Sequence, residues 1–178
     1  MFDEWGGRRV VIVNSKSDLF HARVPLDFVK RVFEEVADTP QHTYPVLTKR
    51  SSRLPKVADK LDWPANLWMG VSIEDEDHLY RADDLRSVPA AVRFLSCEPL
   101  LGPLPNLELD GIDWVITGGE SGHGARPLDP DWVREIRDKC RSANVPFFHK
   151  QWGGRTPKAG GRELDGMVWS QMPLRSAS

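Results

Sequence analysis

At 178 residues, with 40% hydrophobic and 28% charged residues, the chain has room for a sizeable core and is globular rather than disordered in composition. Its formal net charge of −2 supplies no global pull toward nucleic acid or anionic membrane. No apolar run approaches the roughly 20 residues of a membrane span, and MFDEWGGRRV lacks the basic start and apolar stretch of a signal peptide, so the chain is expected to be cytoplasmic.

The first apolar run, RVVIVN (9–14), predicts a strand. Residues 25–37 then place Phe28, Val29, Val32, Phe33 and Val36 on one side of a helix that Pro25 is suited to begin. TYPVLT (43–48) and LWMGVS (67–72) predict the second and third strands, with a weaker helical pattern over 53–62 between them. A second weak helical pattern, 76–86, precedes VRFLS (92–96). The link LLGPLPNLELDGI (100–112) has two prolines and no helical period, which predicts an irregular crossover to DWVIT (113–117). Asp129 and Pro130 read as N-cap and first turn of a helix bearing Val133, Ile136 and Cys140 on one stripe, and VPFFHK (145–150) is the sixth strand. Glycine and proline dominate from Trp152 onward.

These runs are continuous rather than alternating, as burial on both faces of a parallel sheet requires. Strand, helix and strand recur as in βαβ units. The expected fold is α/β, a partial (βα) barrel with a mainly parallel sheet of about six strands, forming one domain over residues 1–173 with a flexible tail at 174–178. Trp68 and Trp114 fall inside strands and read as core, and Cys140 reads as a small core residue.

Each run is followed at once by residues able to do chemistry. Asn14, Ser15 and Asp18 follow the first; Thr48, Lys49 and Arg50 end the second; Ser72, Glu74 and Asp75 end the third. Glu98 follows the fourth, Gly118, Gly119, Glu120 and Ser121 the fifth, and Lys150 and Gln151 end the sixth. In parallel α/β folds such ends share one rim where loops build the binding site. The candidate ligand-binding set is therefore Asn14, Asp18, Lys49, Arg50, Glu74, Glu98, Gly118, Gly119, Glu120, Ser121, Lys150 and Gln151. In GGESGHGARP (118–127) the glycines would let backbone N–H groups approach a ligand, with Glu120 as acceptor or base. Trp152 is the tryptophan placed to flank a pocket and stack on a planar ligand.

No dinucleotide fingerprint, P-loop, HExxH or GxSxG is present. The histidines, His21, His42, His78, His123 and His149, lack metal-ligand spacing and read as structural or exposed. Cys97 and Cys140 form no CxxC pair, so no metal ligands are assigned.

The ordered set VNSKSDLFH, VLTKR, GVSIEDED, FLSCEPLLGP, DWVITGGESG with ARP, and FFHKQWGG resembles an uncharacterised phage and bacterial family of radical-SAM-like proteins, distantly similar to spore photoproduct lyase. The resemblance runs from about Arg8 to Pro173. It implies a partial (βα) barrel whose rim holds S-adenosylmethionine, with a [4Fe–4S] cluster on three cysteines near the amino terminus. Here only eight residues precede RVVIVN and two cysteines exist, so this chain is expected to carry no cofactor of its own. Either an amino-terminal cluster segment has been cut off, or the barrel has lost redox chemistry. The expected function is the ligand-binding barrel portion of such a protein, inactive alone, with Glu120, Glu98 and Lys49 lining the pocket and Asn14 and Asp18 orienting the substrate. The alternative is a non-redox phage-derived module binding a phosphate, nucleotide or protein partner. Expected partners are a small molecule or nucleotide, with nucleic acid unsupported by charge and membrane excluded. An uncovered edge at the first strand would favour self-association.

Overall fold

A computed structural model describes residues 7–14 and 16–173. Five strands form one sheet in the order β1-β2-β3-β4-β5: β1 (Tyr44–Thr48), β2 (Leu67–Ser72), β3 (Val92–Cys97), β4 (Trp114–Gly118) and β5 (Phe147–Gln151). Sequential order and parallel pairing make this the open α/β sheet of a partial barrel. Helices α1 (Leu26–Ala37), α2 (Leu54–Val57), α3 (Tyr80–Arg86) and α4 (Pro130–Ala143) occupy the crossovers, and a hairpin of β6 (Glu163–Leu164) and β7 (Met167–Val168) follows β5. Among the described residues, no helix is long and apolar enough to cross a membrane.

The chain divides into two compact units, Met1–Val71 with Arg81–Arg93, and Ser72–Tyr80 with Phe94–Ser178. In the first, α1 buries Val29, Phe33 and Val36, the stripe that its 3.6-residue period predicts. Asn66 closes its C-terminus by donating Nδ2 to the Val36 and Thr39 carbonyls at 2.8 and 3.1 Å. The strand expected at 9–14 is reduced to two parallel bridges, Val10 with Thr43 and Val13 with Val46. The main chain of residues 9, 11 and 13 bonds toward β1, whereas Val10 and Ile12 are 55% and 65% exposed. Pairing on one side alone leaves this segment irregular. Residues 53–62, expected to be a single helix, break into α2 between short 3-10 turns at Ser51–Arg53 and Ala58–Lys60.

In the second unit, α4 begins as expected, with Asp129 accepting from Asp131 N–H at 2.9 Å and Pro130 in the first turn. It buries Val133, Ile136 and Cys140. Asn144 ends it in the left-handed conformation, φ 55°. Trp114 is buried as expected, at 5.7 Å from Phe94 and 6.0 Å from Phe148 between ring centroids, and Trp68 is likewise buried in the first unit. The glycine-rich segment after Trp152 holds structure that its composition did not signal. Asp165 of the β6–β7 turn is gripped by Arg134 at 2.8 Å and Arg137 at 2.5 Å, and the Arg137 guanidinium lies 5.7 Å from the Trp169 ring centroid. Trp169 and Gln171 bond their main chains to His149 and Phe147, covering the outer edge of β5.

Candidate functional site

The predicted site residues fall in both units. In the first, Asp18 serves as a local clamp. Its carboxylate accepts Phe20 N–H at 2.9 Å, the Thr48 hydroxyl at 2.7 Å and Lys49 N–H at 3.0 Å, tying the 18–20 turn to the end of β1. Thr48 Oγ1 in turn accepts Arg50 N–H at 2.8 Å. Lys49 and Arg50 themselves are exposed, and Asn14 occupies the left-handed region at φ 59°. Ser15 lies outside the described residues.

In the second unit, Glu98 forms the centre of a constellation at the C-terminal ends of β3, β4 and β5. Its carboxylate accepts Gln151 Nε2 at 2.6 Å and pairs with Lys150 Nζ at 2.9 Å. The side chain crosses Gly118, where an added Cβ would stand 3.1 Å from Glu98 Cγ and 3.1 Å from Gln151 Nε2. Glycine at the last position of β4 therefore admits both neighbours. A register irregularity between Thr117 and Gly118 lets Gln151 stand opposite Gly118. Glu98 is 21% exposed and Lys150 54%, so the pair is sheltered on the carboxylate side and open on the ammonium side. Glu74 follows β2 within the same unit and is buried; its carbonyl accepts Leu101 N–H at 2.7 Å and its carboxylate lies 3.8 Å from His78 Nδ1.

Several backbone N–H groups of GGESGHGARP are taken up within the protein. Gly119 N–H donates to the Gln151 carbonyl, Gly122 N–H to that of Gly154, and Gly154 N–H to that of Glu120. The loop after β4 is thus zipped to the loop after β5. Glu120 accepts Arg126 N–H at 3.0 Å and two guanidinium nitrogens, Nε at 2.9 Å and Nη2 at 3.0 Å. This bidentate pairing holds the Glu120 carboxyl down at about 2 and raises Arg126. Glu120 is committed to closing its own loop, and Ser121 is exposed beside it. Glu120→Gln is expected to speed amide exchange at Arg126 while leaving the thermal midpoint within about 2 °C of wild type, since exposed pairs contribute little. Hydrogen exchange read by mass spectrometry checks this; unchanged protection would show that the main-chain zipper alone holds the loop.

Trp152, expected to stack on a ligand, is half-buried against His149, with ring centroids 4.4 Å apart, and its Nε1 donates to the Glu163 carbonyl at 2.8 Å. His149 is buried in β5, with Nδ1 2.9 Å from Thr117 Oγ1 and Nε2 without a hydrogen-bond partner. Burial and the Arg162 guanidinium push its pKa down to about 4, so the imidazole is neutral at physiological pH.

Neither cysteine suits an iron–sulfur cluster. Cys97 and Cys140 are both wholly buried. Burial, then the Cys140 and Glu74 charges, raise the Cys97 thiol, and burial raises Cys140 to about 12. Ligation needs thiolates, which these positions suppress. Among the described residues, no group of three His, Cys, Asp or Glu side chains could hold a metal ion.

Fold and site define an α/β protein of the partial-barrel kind, with a parallel sheet and polar side chains at its strand ends. Within that class the chain belongs to the family of proteins of unknown function DUF5131, which matches residues 2–173. No curated protein and no solved structure matches it.

Proposed function

We propose that this chain is a ligand-binding barrel domain whose recognition site lies at the ends of β3, β4 and β5. The observation carrying the reading is the Glu98 carboxylate held over Gly118 between Lys150 and Gln151. Such a pair offers an acceptor for a cationic group and a donor for an anionic one within a single constellation. The radical-SAM-like resemblance supports an amino-acid-type ligand, S-adenosylmethionine, whose ammonium would pair with Glu98 and whose carboxylate would pair with Lys150. With Cys97 and Cys140 buried in the core, the activity proposed for this chain is binding and not redox chemistry.

Calorimetric titration with S-adenosylmethionine tests the reading. Wild type is expected to bind, and Glu98→Gln and Lys150→Met to bind roughly tenfold to a hundredfold more weakly, as loss of one charge-assisted contact of about 1.5–3 kcal/mol implies. Equal affinity in wild type and both variants, or no binding by any of them, removes Glu98 and Lys150 as the site.

A further inference from the structure

The segment KQWGGRTPKAGGR (150–162) carries four cations, Lys150, Arg155, Lys158 and Arg162, and no carboxylate, in a chain whose net charge is −2. Two of the four are occupied: Lys150 pairs with Glu98, and Arg162 lies 4.9 Å over the Phe148 ring. Arg155 and Lys158 are exposed and form no ion pair among the described residues. The loop between them is shaped by its own main chain. Gly153 and Gly154 adopt φ 76° and 110°, Gly160 N–H bonds back to the Gly153 carbonyl, and Ala159 N–H donates to the Thr156 carbonyl. Gly154 N–H is held by Glu120, which fixes the start of the loop on the zipped β4 loop. The N–H groups of Arg155, Thr156 and Lys158 donate to no protein acceptor among the described residues, and neither does the Thr156 hydroxyl.

We propose that residues 153–158 form a phosphate-binding loop that takes a ligand bearing two or more consecutive phosphates. The chemistry follows from the donor set. Gly154 at φ 110° is followed by Arg155 outside the positive-φ region, the alternation of hand on which anion-binding nests are built, and with the Gly154 N–H held by Glu120 the N–H groups of Arg155 and Thr156 remain to meet an anion. Arg155 supplies a planar fork and Lys158 a point charge, the two ways side chains hold phosphate oxygens. No large apolar side chain occupies the loop tip, RTPKA, so insertion into a lipid interface is disfavoured. Consecutive phosphates are those of a nucleoside triphosphate; a nucleic-acid backbone, whose single phosphodiesters are separated by sugars, is the competing ligand that the test separates. This site stands independently of the Glu98 site.

The test titrates the full chain with three probes in low salt: sodium tripolyphosphate, adenosine triphosphate and a twelve-nucleotide oligothymidylate. Tripolyphosphate is expected to bind, and the Arg155→Ala/Lys158→Ala double variant to bind at least tenfold more weakly. Both replaced side chains are exposed and unpaired, so the double variant is expected to melt with wild type and its loss of binding reads the site directly. Tighter binding of adenosine triphosphate than of tripolyphosphate assigns a nucleoside triphosphate; tighter binding of the oligothymidylate than of tripolyphosphate, with affinity falling as salt rises, overturns the consecutive-phosphate reading. The proposal is overturned if wild type binds none of the probes or if the double variant binds them equally well.

Discussion

Gly119→Ala is expected to destabilise the protein by on the order of 3–5 kcal/mol. A Cβ at Gly119 would lie on the Trp152 carbonyl, far inside contact distance, and the obstacle is main chain that cannot rotate away. Gly153 is its counterpart. There the added carbon would meet the Glu120 carbonyl, and φ 76° adds the strain of a left-handed conformation. The two glycines are the places where the loops after β4 and β5 touch backbone to backbone, which is why the zipper of Gly119, Gly122 and Gly154 N–H groups can form. For a domain of this size the loss corresponds to a fall of roughly 6–20 °C in thermal midpoint. Gly102→Ala, whose Cβ would stand 3.8 Å from Asp75 Cβ in ordinary contact, serves as the control. A Gly119→Ala protein melting within about 2 °C of wild type would show that the loops separate at little cost and that the zipper is not structural.

Stability is also expected to fall as pH drops from about 6.5 toward 4, through His149. Its folded pKa of about 4 lies below the ordinary 6.5 because burial and Arg162 disfavour the imidazolium. Between these values the unfolded chain binds a proton that the folded chain refuses, so unfolding becomes easier as acid is added. The contribution is fully present above pH 6.5 and is lost progressively down to pH 4, amounting to on the order of 3 kcal/mol. Denaturant titrations at pH 7.5 and pH 5 measure it, with His149→Gln as the comparison. The variant is expected to lose the pH-dependent part while the other histidines remain. An identical slope in wild type and variant between pH 5 and 7 would assign the effect elsewhere.

The proposed recognition site and the phosphate-binding loop are adjacent in sequence and separable by substitution. Glu98→Gln acts on the first and leaves Arg155 and Lys158 in place; the Arg155/Lys158 double variant does the reverse. A chain that binds tripolyphosphate but not S-adenosylmethionine would retain the loop proposal and lose the Glu98 reading.

Sequence alone determined the five strands β1 to β5 to within a residue or two, together with α1 and α4, because each rests on local physics. Valine-, isoleucine- and phenylalanine-rich runs favour extended chain buried on both faces. Val29, Phe33 and Val36 share a helical stripe, and Asp129 with Pro130 supplies a local helix start. The core roles of Trp68, Trp114 and Cys140 followed from the same patterns. The strand ends also marked Glu98, Lys150 and Gln151 as neighbours in a rim, since parallel strands bring their C-terminal ends to one edge.

Tertiary structure alone decided what those polar residues do. Glu120 read as a free acceptor until Arg126, six positions on, proved to hold it from both oxygens. Asp18 read as substrate-orienting and instead binds Thr48 and Lys49, 30 and 31 residues away. His149 was not distinguished from the other histidines, because burial is a property of what packs around a residue and not of the residue itself. The glycines at 118–119 and 153–154 each look like turn residues in isolation. The repeat of GG after two adjacent strands was the only local signal of their contact, and it acquired meaning once parallel pairing of β4 with β5 placed the two loops side by side. Hydrophobic periodicity is written into consecutive residues, whereas pairing of a carboxylate, an amide or a glycine depends on partners tens of residues distant, which only the folded chain brings together.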